Sequence, residues 1–591
     1  MPETAETGNS TIVRKTLFRL LPAQILLAAS AAVTGIISSL FAGNYIGPDA
    51  MTAVGLYGPV NMLIGAVTLM MVGGSQILCG QYMGKNQLEQ TQAVFSLDLI
   101  VTAGLAVIFT VGLLAAGVFD LTRFICADAA ARSYLNPYVI GQAAGVFPLM
   151  MSQQLAAFLS LENRNGRTAI GFAVQIAASL GLHYLLIAVI RIGTLGLALS
   201  VSLSTWLLLF VQAQYFLSGR SMMKFRRKMR AHDALDIFKV GVAGSLSNCW
   251  QALRGVILNG LILQYVGNAG LSAFATVNTL LAVFWAIPGG MIAVSRMLMS
   301  VAAGEEDRET LVAVMKNMIL RFVPLMAVVS AGLVLSAVPL TRLYYRDVSA
   351  PVYQLTVQGF RMLPICMPLS VIFMHFVGLN QIFGKQVPVH LLSLLDGVVF
   401  VAGFSALLIP FMGMKGVYAA NILNGICLLP VIFGIAWVRR HRIPKTPEEV
   451  LDLPDSFGTA DGDRLDLSAV SMEEVVSVSR QVEAFCRSRG FDQKKSSLAG
   501  LAMEEMAGNV VEHGFHMDHR KHAVNMRVVR KDNDLILRIR DDCRPFDPEE
   551  RSRIVDPEDI TKNIGIRMIY GLARKITYQN LLGLNVLTIR L

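Results

Sequence analysis

Between residues 16 and 438 the sequence repeats one unit, an apolar run followed by a short polar break. A helix of about 20 apolar residues spans the hydrocarbon core of a bilayer, and inside that core only a helix or a closed barrel satisfies every backbone hydrogen bond. The runs fall near 16–41, 51–77, 93–118, 135–160, 168–190, 194–217, 237–265, 271–301, 312–340, 355–377, 389–410 and 414–438. They predict an all-α polytopic membrane domain of about twelve helices. Of the 591 residues 54% are hydrophobic and 16% charged, whereas soluble domains are about 25% charged. After residue 462 the long apolar runs stop and a soluble domain begins.

The net charge of +10 would suggest nucleic acid in a soluble chain. Here it lies in short loops beside apolar runs, where it sets topology, so no direct nucleic-acid partner is expected. Arg14, Lys15, Lys85, Arg164, Arg167, Arg308, Lys385, Arg439 and Arg440 fall on one side, together with the cluster from Arg220 to Arg230. The positive-inside rule then places both termini in the cytoplasm and the chain in the cell's inner (plasma) membrane. The expected order is a tail (1–15), membrane half one (16–217), a basic loop (218–236), membrane half two (237–438), a basic juxtamembrane linker (439–462) and a soluble domain (463–591). Arg439 to Lys445 would lie on anionic lipid heads, and the segment from Pro454 reads as a flexible polar tether. The seven cysteines form no CxxC and have no metal-ligand spacing.

The two halves look related. The stretch from Leu40 through Gly43 and Gly47 to Gly55 is similar to the one from Leu263 through Gly267 to Asn278, and each joins the first two helices of its half. Internal repeats of this kind mark secondary transporters. With the Gly47-Pro48-Asp49-Ala50 run and the Gly80-Gln81-Tyr82-Met83-Gly84-Lys85 turn, residues 16–440 resemble the multidrug and toxic compound extrusion (MATE) family. That resemblance implies two six-helix lobes, a central cavity, and antiport of small molecules against protons or sodium ions. The sequence departs from it at two places. Ser38 stands where many prokaryotic members have aspartate, and Ser179 and His183 replace polar residues of the fifth helix. An ion-coupled transporter needs a group whose occupancy changes with conformation. Asp396 is the clearest intramembrane acid; His183 and His375 titrate near neutrality when unperturbed. Ser38 completes the coupling candidates, and Arg254, Arg296 and Arg361 are possible counter-charges.

In the soluble domain the stretch Leu501–Gly514 sets Glu505, Asn509 and His513 four residues apart, on one face of a helix. A strand-like run ending at Arg540-Asp541-Asp542-Cys543 follows, then Asn563-Ile564-Gly565 opening a helix. Residues 462–591 resemble the ATP-binding domain of histidine kinases, Hsp90-like ATPases and anti-sigma-factor serine kinases, most closely the last. The resemblance implies an α+β sandwich that binds ATP and magnesium. By it Asn509 holds the metal, Glu505 is the general base, Asp541 contacts the adenine amino group and Gly565 keeps a phosphate-side glycine. Cys543 and Asn563 stand where the family has glycine. Helices are expected near 471–489, 494–513 and 564–574, strands near 464–469, 523–530, 534–541, 575–580 and 584–591 in a mixed sheet, and a nucleotide lid at 549–562.

The expected function is a small-molecule transporter whose cytoplasmic serine/threonine kinase-like domain links transport or sensing to a partner, an anti-anti-sigma (STAS-type) protein or a sigma factor. The alternative is a non-transporting receptor with a degenerate ATP-binding docking module. No GxxxxGK[ST] phosphate loop is present, which speaks against ATP-driven pumping.

Overall fold

A computed structural model describes residues 8–124, 126, 129–226, 231–345, 347–454, 457–459, 461–517, 522–531, 534–544 and 564–591. The expected lid (549–562), Asn563 and residues 227–230 of the expected basic loop lie outside them. The first half contains α1 (Gly8–Phe41), α2 (Pro48–Gly84), α3 (Leu88–Val118), α4 (Ala129–Leu161), α5 (Asn165–Val189) and α6 (Gly193–Leu217). The second contains α7 (Ala231–Tyr265), α8 (Asn268–Gly304), α9 (Arg308–Leu335), α10 (Pro351–Ile382), α11 (Gln386–Met412) and α12 (Met414–Arg440). Among the described residues 11 helices are long and apolar enough to cross a membrane. The other long helix is α7, where Asn248, Gln251, Arg254 and Asn259 lower the hydropathy.

The backbone bears out the internal repeat and sharpens its register. Gly47 and Gly267, which cap α2 and α8, both have positive φ, at 116° and 83°. The α2–α3 and α8–α9 turns bend at Asn86 and Glu306, with φ of 57° and 56°. Gly193 and Gly413 form a third such pair at 63° and 56°. A left-handed residue ends or starts a helix where glycine or a short polar residue tolerates it. Gly267 therefore corresponds to Gly47 rather than to Gly43.

At the end nearer the soluble domain the halves meet along α2 and α8. A Cβ on Gly84 would lie 2.2 Å from the Val301 carbonyl oxygen, and one on Gly304 would lie 2.1 Å from that of Gln81. On α7 a Cβ at Gly241 would lie 1.9 Å from the Met70 carbonyl oxygen. Small residues let helix backbones approach this closely, which is how helices associate where no hydrophobic effect drives them together. The two halves are therefore closed against each other at this end.

Among its described residues the soluble domain has five strands: β1 (Arg464–Ala469), β2 (Val524–Lys531), β3 (Asp534–Asp541), β4 (Lys575–Leu581) and β5 (Leu584–Arg590). Among the same residues the longer helices are α13 (Met472–Ser488), α14 (Gln493–Asn509) and α15 (Ile564–Leu572). The sheet order is β1-β2-β3-β5-β4, and every adjacent pair is antiparallel. This corrects the expectation of a mixed sheet. The crossover through α15 does return β4 parallel to β3, but β5 lies between them. One face of the sheet packs on α13 and α14 through Met526, Val528, Leu537, Ile539, Val475, Val478, Met503 and Met506. The alternate residues, Arg527, Arg538 and Arg540, point to the other face, as the two-residue strand period requires.

The linker is packed rather than loose over its described residues. Leu451 and Leu453 are buried in the membrane-domain core. Asp452 accepts from Lys385 Nζ at 2.6 Å and pairs with Arg439 at 3.0 Å. Phe457 meets Phe383 edge-on at 5.0 Å.

Replacing Gly304 by valine forces α2 and α8 apart. The expected cost is about 1–3 kcal/mol, the usual penalty of overpacking, read as a lower Tm of the purified protein. An unchanged Tm would show that the α2–α8 contact is not tight.

Candidate functional site

Two regions carry chemistry. The first is a cavity of about 730 Å³ between the halves, lined by α1, α2, α4, α5, α6 and the start of α8. It lies toward the end of the membrane domain away from the sheet. Thr34, Tyr57, Asn61, Tyr138, Gln142 and Gln175 are typical of its walls, and no acid or base is among the lining residues. Hydroxyl, amide and aromatic groups without a fixed charge suit an uncharged or weakly polar small molecule, and the volume is in the range of drug-sized sites.

Ser38 also lines this cavity, and behind it stands His183. Two of the positions that depart from the family pattern touch each other: Ser38 Oγ lies 3.0 Å from His183 Nε2. His183 Nδ1 lies 2.7 Å from the Ser179 carbonyl oxygen, which can only accept. Nδ1 therefore carries the hydrogen, and Nε2 accepts from Ser38 in the neutral ring. His375 is bonded in the same way, with Nδ1 2.7 Å from the Val371 carbonyl and Nε2 2.8 Å from Ser295 Oγ. Both imidazoles are buried and satisfied. Asp396 sits in a π-helical turn of α11 (Leu395–Val399) and accepts from Asn424 Nδ2 at 2.9 Å. Arg254 reaches only its backbone carbonyl, at 3.5 Å.

Asp98 of α3 was not among the sequence candidates. It is 0% exposed, and its Oδ1 has no partner among the described residues. With its amide turned to satisfy both ends, Gln154 donates to Asp98 Oδ2 at 3.0 Å and accepts from the Val72 N–H at 3.2 Å. A carboxyl buried without a cation in the membrane is costly and marks function by default. The only sequence signal was an acid within an apolar span, ten residues from its start at Leu88, where it reads as a helix-end residue reaching for water.

The second region is the face of α14 toward β3. Asn509 Nδ2 donates to the Glu505 carbonyl oxygen at 2.7 Å and lies 3.5 Å from Glu505 Oε1. With the nitrogen so engaged, Oδ1 is the atom of Asn509 that would serve as a hard oxygen donor of the kind magnesium prefers. His513 leaves the stripe predicted from four-residue spacing. Residues Val510–Gly514 form a π-helical turn, which inserts an extra residue and rotates the rest of the helix out of register. Gly565 lies in the first turn of α15.

Asp541 ends β3 and is buried. Burial raises its carboxyl above the ordinary range; Asn585 and the Cys543 N–H, bonded to Oδ1 at 2.7 and 3.0 Å, draw it partway back. Asn585 is itself fixed by Tyr578 Oη and Asn580 Nδ2, both at 2.8 Å. Sequence reading missed Asn585, because only the β3–β5 register sets it opposite Asp541. Cys543, in place of a glycine, is buried, and its Sγ lies 3.1 Å from where a Cβ on Gly514 would be. The missing side chain of one glycine thus makes room for the thiol that replaces another. Asn509 and Asp541 fit a magnesium nucleotide in chemistry.

Binding that uses ionised Asp541 holds above its raised titration point and declines on acidification at a higher pH than an ordinary aspartate would give. Removing Asn585 should weaken Mg-ATP binding to the full chain about tenfold, the worth of one to two lost hydrogen bonds, and move that decline upward. Calorimetric titration across mildly acidic pH checks both. Unchanged affinity and an unchanged profile would remove Asn585 from the site.

Comparison with known proteins agrees with these two regions. Residues 25–189 match the MatE family, and residues 469–591 match the histidine kinase-like ATPase domain. Protein DETOXIFICATION 33 of Arabidopsis thaliana is 26% identical over 269 residues, which are 42% of this chain and 52% of that protein. The chain thus spans about half the length of this curated relative. A crystal structure of MATE in complex with MaL6 superposes with a TM-score of 0.68 at 21% identity, over 76% of this chain and 100% of that one. A MOP superfamily transporter from Pyrococcus furiosus gives 0.65 at 20% identity, over 76% and 99%. At these identities the likeness is one of fold. The chain is a multi-pass membrane protein that carries a MatE domain toward its N-terminal end and a histidine kinase-like ATPase domain at its C-terminal end.

Proposed function

We propose that the membrane domain is an ion-coupled exporter of small uncharged or amphipathic molecules, and that the C-terminal domain is a cytoplasmic Mg-ATP module of the anti-sigma-factor kinase type that regulates it. The observation that carries the reading is the charge-free cavity between the halves. Because its walls hold no acid, the coupling charge would sit elsewhere; buried Asp98 on α3 and half-buried Asp396 on α11 are candidates within the described membrane helices. Asp98 is the stronger candidate, since it is fully buried and has no ion pair among the described residues, whereas Asp396 is half-buried with Arg254 close by. A proton taken up when one side opens and released when the other does would tie the gradient to the cycle.

In the ATPase domain Asn509 would hold magnesium, which screens the phosphate charge when bound. Glu505 would accept the proton of an attacking serine or threonine hydroxyl on a protein partner, a STAS-type protein or a sigma factor. The basic loops support an inner-membrane placement with both termini in the cytoplasm.

Flux of a dye-like amphiphile into proteoliposomes under an imposed proton or sodium gradient tests the transport half. The expected result is gradient-driven flux that Asp98→Asn reduces at least about tenfold, with Asp396→Asn less affected. Flux absent under every gradient would sink the exporter reading. The kinase half is tested by phosphate transfer to a candidate partner. Glu505→Ala should lower the rate by about 100-fold or more, as loss of a general base does; equal transfer by the variant would remove Glu505 from that role.

A further inference from the structure

The sheet face that carries arginines is not free. Arg527 and Arg538 stand directly opposite each other on β2 and β3, and like charges so placed destabilise a sheet unless something anionic meets them. The α8–α9 turn meets them. Arg527 Nη1 lies 2.6 Å from Asp307, and Arg540 Nη1 lies 3.0 Å from its other oxygen. Arg540 also pairs with Glu305, and Arg464 lies 2.6 Å from Glu309. Lys531 reaches Glu306 at 2.9 Å. All these acids belong to the second half of the membrane domain.

The tip of the β4–β5 hairpin makes a separate contact with the first half. The Leu582 N–H donates to the Leu161 carbonyl at the end of α4, at 3.2 Å. Arg19 of α1 donates to the Leu582 carbonyl at 2.6 Å. A Cβ on Gly583 would lie 2.6 Å from Asn163 Cγ. Leu581, Leu582 and Val586 are buried in the core cluster that also holds Val13 of α1 and Leu298 of α8. Asp542 lies 3.7 Å from Lys15.

We propose that the ATPase-like domain is a clamp: it grips the first half by the hairpin tip and the second half by the arginine face, and so holds the membrane domain closed on its own side. Two lobes that must separate at this end to admit substrate cannot do so while one rigid sheet is fastened to both. The domain must let go of one lobe in every transport cycle, or else stay docked and silence the protein.

The test uses the full chain with Asn163→Cys and Gly583→Cys. Oxidation should join the pair in high yield, and in proteoliposomes should cut flux at least about tenfold, with recovery on reduction. Glu305→Arg, which sets a third cation against Arg538 and Arg540, should lower the cross-link yield severalfold, and Glu305→Gln should lower it less. A pair that does not cross-link, a yield indifferent to Glu305→Arg, or a cross-linked protein with undiminished flux would each overturn the clamp. The flux arm rests on the transport reading above, and the cross-link arms do not. A chain that cross-links and responds to Glu305→Arg as described, yet carries nothing under any gradient, would sink the exporter reading while leaving the docking upheld.

Discussion

A buried carboxylate stands at the centre of the charged contact between the two domains. Asp307 is 1% exposed. It caps α9 by accepting from the Thr310 N–H at 3.0 Å, and it also receives Arg527 and Arg540. Burial alone would raise its carboxyl; the two guanidinium groups outweigh that and hold it well below the ordinary carboxylate range. A depressed value means that the stabilisation is present throughout neutral and mildly acidic pH and is lost only in strong acid. Breaking a buried pair on one side is far costlier than never having it, because the partner charge is left unpaired. The turn that bends the membrane domain's second hairpin and the face that orients the ATPase domain are therefore one object.

The helices, strands and two-domain plan were legible because their periods are strong. Apolar runs of membrane length, and the partial alternation of apolar and charged residues along β2 and β3, leave few other readings. What was not legible is what required two distant segments to meet. Nothing local in the sequence sets Arg527, Arg538 and Arg540 apart from a solvated strand face, or Glu305-Glu306-Asp307 from an ordinary loop. Only the sheet register and the fold of the second half bring them together. Asn585 was hidden for the same reason. His513 was misplaced by a π-helical turn that no spacing rule anticipates, and Asp98 by its nearness to a helix end.

The polar groups of the membrane domain depart from the pattern that the family resemblance implied. Where acids were expected, Ser38 and His183 bond to each other and the cavity wall stays neutral. Desolvation disfavours a strongly charged molecule there, since a neutral cavity offers no partner for a buried ion. The β4–β5 hairpin spans the other functional divide. Asn585, which fixes Asp541, stands two residues beyond Gly583 at the docking tip. Whatever moves one end of so short an element is felt at the other, and by linkage the influence runs both ways.

The packed linker sets how far such a switch can travel. Phe457 is held against Phe383 and β1 begins at Arg464, so a released domain hangs on a leash that reaches at most about 25 Å when fully extended. It never dilutes into the cell. Its effective concentration at the dock stays near the millimolar level of short tethers. Rebinding is then a first-order event, independent of how many copies the cell makes, and the interface can be weak enough to open in each cycle while remaining the most frequent place for the domain to be.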